Sequence, residues 1–171
     1  MALNGPPAAA YRVGVTGHRH LRAPHTVAAR CHETLAGILS DRPDVVACSA
    51  LAIGADSLFA QAALDLGIPL IAVIPFATYA SDFTTPDERA QYERLLNSST
   101  EVVTLPHARR SNAAYLAIGR WMVERCDLLV VIWDEQSSAG FGGTADVVAL
   151  ARRKGRPFIH IPAERPAGTR G

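Results

Sequence analysis

The sequence predicts an α/β fold: a Rossmann-like, doubly wound, mainly parallel sheet of about six strands with helices on both faces. Three observations carry this. Short apolar, β-branched runs alternate with longer stretches of helical period from Tyr11 to Pro162. The most continuous run, Leu128 to Trp133 (LLVVIW), lacks polar alternation, as a strand covered on both faces requires. Turns leaving the strands are rich in glycine, histidine, arginine and aspartate, the residues expected where parallel sheets bind ligands.

At 171 residues, 49% hydrophobic and 19% charged, the chain suits one domain with a sizeable core. Residues 11–162 are predicted to form it, with residues 1–10 and the proline-, glycine- and arginine-rich 163–171 as flexible tails. Seventeen basic against 16 acidic residues leave a net charge of +1, without the footprint of a phosphate-backbone binder, so nucleic acid is disfavoured as a partner. Cys31, Cys48 and Cys126 are odd in number and far apart, suggesting neither a disulfide framework nor a zinc site. The six histidines make no helical metal-binding pair, so no metal is expected; His18-x-His20 comes nearest. The opening residues lack a secretory pattern and no apolar run nears the roughly 18 residues of a membrane span, so a cytoplasmic protein without a membrane partner is expected.

Tyr11 to Thr16 reads as the first strand and Gly17-His18-Arg19 as its exit turn. Pro24 opens a helix to about Leu39, with Val27, Cys31, Leu35, Ile38 and Leu39 at roughly helical spacing. Val45 to Ser49 is the second strand. Gly54 then ends a tight loop, and Asp56 or Ser57 starts a helix that closes at Gly67. Pro69 to Ile74 is the third strand, and the loop Pro75 to Pro86, with Phe76, Tyr79 and Phe83, is a candidate lid or wall. A helix from Asp87 to Leu96 and a strand from Glu101 to Leu105 follow. Ser111 or Asn112 caps a helix whose inward candidates include Ala114, Leu116, Ile118, Met122 and Val123. After the central strand a glycine-rich turn feeds a helix from about Thr144 to Lys154, stopped by Gly155, and Pro157 to Ile161 is the last strand.

With a switch point beside the first strand, the unusual turns meet around one cleft. Gly17, His18 and Arg19 follow strand one; Gly54 and Asp56, strand two; Phe76, strand three; Asp134, Gly140, Gly142, Gly143 and Thr144, strand five. Glycines admit backbone close to a bound group, Thr144 offers a hydroxyl, and the helix behind it aims free N–H groups at a phosphate or ribose. Arg19 suits bidentate phosphate recognition. Each residue has a plainer reading too: Asp56 as a helix cap, Asp134 as a solvated strand end, His18 as an idle turn residue, Phe76 and Tyr79 as packing.

The stretch SALAIGAD, Ser49 to Asp56, resembles the S-G-x-A-x-G-I-D loop of bacterial DNA-processing protein A. GFGGTADVV, Gly140 to Val148, is similar to the P-G-G-x-G-T-x-x-E motif of the LONELY GUY cytokinin-activating phosphoribohydrolases. Both belong to the SLOG superfamily of Rossmann-like, nucleotide-related proteins, and the resemblance spans Val13 to about Ile161. It implies a nucleotide or nucleotide-derived small-molecule ligand, no further cofactor, and a homodimer or higher homo-oligomer paired through helices, for which the segment around Trp121 and Met122 is the candidate face. The enzyme pattern is incomplete. With the family's G-T on Gly143-Thr144, Ala139 replaces its proline, Phe141 its second glycine and Val147 its catalytic glutamate. Asp146 stands one residue early, about 100° round a helix, and the family's arginine falls on Ile118 with Arg120 two residues away.

Binding or sensing of such a metabolite is therefore the expected function. The first alternative is an N-glycosidase or phosphoribohydrolase, or a deoxyribosyltransferase-like enzyme, with Asp146 as the catalytic carboxylate and Arg19 assisting; the second is a protein that handles single-stranded DNA.

Overall fold

The structure, a computed structural model, describes residues 10–137 and 142–169. Its elements are β1 (Tyr11–Gly17), α1 (Pro24–Asp41), β2 (Val45–Ser49), α2 (Ala55–Asp65), β3 (Leu70–Phe76), a 3-10 turn (Tyr79–Asp82), α3 (Pro86–Asn97), β4 (Glu101–His107), α4 (Asn112–Arg125), β5 (Leu128–Trp133), α5 (Thr144–Lys154) and β6 (Phe158–Pro162). The six strands form one sheet in the order β4-β3-β2-β1-β5-β6, and every pairing is parallel. Chain order reverses beside β1, so the topological switch lies between β1 and β5, where the loops of the two halves diverge and leave a crevice.

Alternation of side chains splits the apolar residues into two cores. Val13, Val15, Val45, Ala47, Leu70, Ala72, Val130 and Ile132 face the side covered by α1, α2 and α3. Val46, Cys48, Ile71, Val73, Leu129 and Val131 face α4 and α5. The unbroken LLVVIW run has this cause: both faces are dry, so no position favours a polar residue. β4 extends to His107, two residues beyond the expected end, with its register irregular opposite Ile74 and Phe76. Pro106 is tolerated because β4 is an edge strand.

The helices begin as local chemistry dictates. α3 has Pro86 in its first turn and a reciprocal capping box between Thr85 and Glu88, and Ser111 accepts from the Ala114 N–H at the head of α4. By contrast, α1, α2 and α5 begin at Ala23, Gly54 and Gly143 with no side-chain cap. They follow β1, β2 and β5, the strands around the switch point.

The aromatic loop after β3 is mostly packed. Phe76 and Phe83 are buried, and Phe83 stacks on Tyr92 at 4.3 Å while Tyr79 meets Phe76, Phe83 and Tyr92 edge to face. Met122 is a core residue and Trp121 packs partly against the same core, so the helix face expected for self-association is largely turned inward. After β6, Ala163 donates to the Trp133 carbonyl at 3.1 Å, Arg22 to the Glu164 carbonyl at 2.9 Å, and Arg165 pairs with Asp134 at 2.7 Å. The expected N-terminal tail, apart from Ala10, lies outside the described residues. No helix among them is long and apolar enough to cross a membrane. The three cysteines are buried and unbonded.

Gly17 sits where the packing leaves no room for a side chain. A Cβ there would lie 2.5 Å from the Ala55 Cβ and 2.6 Å from the Ile132 carbonyl oxygen, whereas one on Gly37, in α1, meets nothing within 4 Å. Gly17→Ala is expected to cost about 1–3 kcal/mol in urea unfolding, and Gly37→Ala to stabilise by about 0.5–1 kcal/mol.

Candidate functional site

Three backbone segments converge above the carboxyl ends of β1, β2 and β5. The Gly17–Arg19 turn is tied to β5 by the His18 N–H to the Ile132 carbonyl, 3.1 Å, and to α2 by the Ala55 N–H to the His18 carbonyl, 3.0 Å. Gly54 must be glycine twice over: its φ is +81°, and a Cβ would strike the Arg19 carbonyl. Beneath it, buried Ser49 braces the loop, its Oγ donating to the Asp56 carbonyl at 3.0 Å and accepting from Leu51 N–H at 3.1 Å. The third segment is the start of α5, where Gly142 has φ +87°.

The resulting cleft has two neighbouring compartments. One lies among Thr16, Arg19, Asp56, Tyr79, Tyr115 and Gly142. The other lies among His18, His20, Gly143, Thr144, Arg165 and Thr169. Gly17, Arg19 and Gly142 line both. Within α5, Gly143's carbonyl accepts from Asp146 and Val147, while the Thr144 and Ala145 N–H groups have no acceptor among the described residues.

Arg19 is the central cation. Its guanidinium lies 5.1 Å from the centre of the Tyr115 ring, and the Tyr115 hydroxyl in turn donates to the Asp82 carboxylate, so the 3-10 turn helps to place the arginine. Burial pushes the Asp56 carboxyl up to about 7, although Arg19 and the Ala52 amide pull it down. A carboxyl and a guanidinium therefore share one wall, and the carboxyl changes charge near neutrality.

On the other wall, Asp134 meets His18 Nε2 through Oδ1 at 3.0 Å and Arg165 Nε through Oδ2 at 2.7 Å. Burial would raise Asp134, but the Gln136 amide, Arg165 and His18 outweigh it and hold it below the usual carboxylate range. Burial holds His18 below its ordinary value despite Asp134.

Of the residues singled out in the sequence, Gly17, His18, Arg19, Asp56, Gly142, Gly143 and Thr144 line the cleft, Gly54 supports its floor, and Asp134 fixes one wall. Gly140 and Phe141 lie outside the described residues. Phe76 does not reach the cleft: it is 1% exposed and packs edge-on to Tyr115, 6.2 Å between ring centres, because the end of β3 is roofed by the aromatic cluster. Asp146 faces elsewhere, lining a separate groove with Arg120 and Arg153, and its Oδ2 accepts from the Gly142 N–H at 2.7 Å. Tyr115, Asp82 and Arg165 escaped the sequence reading. Tyr115 sits one turn into a helix whose periodicity marks it only as amphipathic, and Arg165 sits in a segment whose composition suggests a tail. Among the described residues no group of three or more histidine, cysteine, aspartate or glutamate side chains is placed to hold a metal.

No protein-family model matches the sequence, and no curated protein matches it. Solved structures do resemble it. DNA processing protein A from Streptococcus pneumoniae superposes with a TM-score of 0.66 at 21% identity, over 91% of this chain and 51% of that protein. The Helicobacter pylori protein, described for its single-stranded DNA binding mode, gives 0.65 at 19% identity, over 98% of this chain and 70% of that one. The molybdenum cofactor binding protein from Rippkaea orientalis gives 0.56 at 16% identity, over 92% and 79%. This chain spans about half the length of the pneumococcal protein. The chain shares the Rossmann-like fold of these proteins, the fold that the motif resemblance implied.

Asp56 makes stability depend on pH with a definite sign. Between about pH 4 and 7 the native state holds a proton that the unfolded chain has released, so the destabilisation by this group is absent below about pH 4, grows through that window and is complete above 7. Asp56→Asn is expected to stabilise the protein by about 1–3 kcal/mol near pH 8, a few degrees of Tm, with the gain shrinking towards zero near pH 4. Equal gains at both pH values would show that folding leaves the Asp56 pKa unshifted.

Proposed function

We propose that the protein binds a nucleotide or nucleotide-derived metabolite in the cleft at the β1/β5 switch point. The observation that carries this reading is the meeting of Arg19 with the starts of α2 and α5, neither of which has a side-chain cap, around a crevice bordered by Tyr79 and Tyr115. The α5 start and Thr144 suit a phosphate or ribose, Arg19 a phosphate oxygen pair, and Asp56 a ribose hydroxyl or base amine.

Two further readings have specific support. A carboxyl that titrates near neutrality beside an arginine suits protonation of a leaving base, which favours N-glycosidic cleavage through Asp56; Asp146 serves that reaction only if its turn is wound differently. The likeness to the Helicobacter pylori protein favours single-stranded DNA, although at this level of identity it speaks to fold alone. Steeply salt-dependent oligonucleotide binding would support the DNA reading.

Thermal shift and chromatography on AMP, deoxyadenosine and ADP-ribose separate the readings. A raised Tm with AMP recovered intact is expected, and Arg19→Ala should weaken that binding about 10- to 100-fold. Release of free adenine, lost in Asp56→Asn, would make the protein an enzyme. An unchanged AMP affinity in folded Arg19→Ala would exclude the arginine from the site.

A further inference from the structure

The segment that follows β6 returns across the open side of the cleft. Its anchors differ in kind. Arg22 and Glu164 pair at 2.6 Å, but their side chains are 70% and 71% exposed, so this contact contributes little. Arg165 and Asp134 are 16% and 13% exposed and pair at 2.7 Å. Pro162 and Pro166 restrict the backbone on either side, and Thr169 donates to the Pro166 carbonyl to close a turn that brings Thr169 to the cleft wall.

Asp134 takes only one of the five N–H donors of Arg165, the Nε, and the remaining fork has no carboxylate partner among the described residues. The same residue lines the compartment that holds the start of α5, with Gly143 and Thr144. Asp134 fixes the guanidinium in place from behind, so contact with an anion would need little further ordering of this long side chain. Asp134 is itself fixed from the far side by His18 and by the Gln136 N–H, 3.0 Å.

We propose that Arg165 is a ligand-binding residue, a second cation on the C-terminal segment that contacts the phosphate of a phosphate ester seated at the start of α5 and so divides recognition with Arg19. This rests on the cleft being the ligand site. The C-terminal segment is then part of the binding site, and a chain ending at Pro162 lacks one wall of it.

AMP and adenosine, titrated by calorimetry into the full chain, test this, because they differ only in the phosphate. Arg165→Ala is expected to weaken AMP at least tenfold and to leave adenosine unchanged. Arg165→Lys keeps the charge but loses the planar fork that presents separate donors to Asp134 and to a phosphate, and should lie between. Asp134→Asn leaves Arg165 in the chain without its anchoring charge and should weaken AMP by a smaller factor. Arg22→Ala, which breaks only the exposed pair, should leave AMP affinity unchanged. Arg165→Ala with wild-type AMP affinity, while Arg19→Ala loses it, overturns this inference and leaves the cleft reading intact. An equal loss of AMP in Arg22→Ala and Arg165→Ala, or an equal loss of adenosine and AMP in Arg165→Ala, would reduce Arg165 to a structural anchor and also overturns it. A wild-type chain that binds neither probe overturns the cleft reading and this inference together.

Discussion

At Gly17 the chain leaves β1 through a gap with no room for a side chain, and the organisation of the cleft follows from that passage. The Ile132 carbonyl of β5 and the Ala55 Cβ of α2 define the gap. The turn beyond it is bonded to both neighbours, through His18 N–H to Ile132 and Ala55 N–H to the His18 carbonyl. One tripeptide therefore fixes the two halves of a doubly wound sheet to each other and aims Arg19 into the cleft and His18 towards Asp134. Because these links are backbone hydrogen bonds, the positions of the two site-bearing walls are set by the fold rather than by flexible side chains.

The site is built at a local cost to stability. A half-buried, desolvated carboxyl opposes folding above neutral pH, α2 and α5 go without side-chain caps, and Leu51 and Glu135 hold positive φ angles of 59° and 62° without being glycine. All of these lie after β2 or β5, at the carboxyl edge of the sheet. On the same edge, α3 starts on a full capping box, whereas the positive-φ non-glycine residues among those described lie after β2 and β5, beside the cleft.

The sheet was legible in the sequence because both-face burial leaves an unmistakable pattern, and Leu128–Trp133 fell where LLVVIW placed it. The glycines legible as site residues were those whose turn chemistry is local, Gly17, Gly54 and Gly142. What could not be read depended on contacts far apart in the chain. Phe76 looked like a ligand wall until Tyr79, Phe83, Tyr92 and Tyr115 closed around it. Tyr115 meets Asp82 across 33 residues, and Arg165 meets Asp134 across 31. No periodicity or motif encodes such a pairing. Composition misled at the C-terminus for the same reason: Arg165 is one more charged residue among prolines until Asp134 supplies its partner.

The most direct measurement is a two-dimensional amide NMR titration of the intact chain with AMP. Shifts concentrated at residues 16–19, 54–57 and 142–146, with Arg165 among them and the outer faces of α1 and α3 silent, are the predicted outcome. Shifts centred on the groove of Arg120 and Arg153, or none at saturating AMP, would contradict a nucleotide site at the β1/β5 switch point.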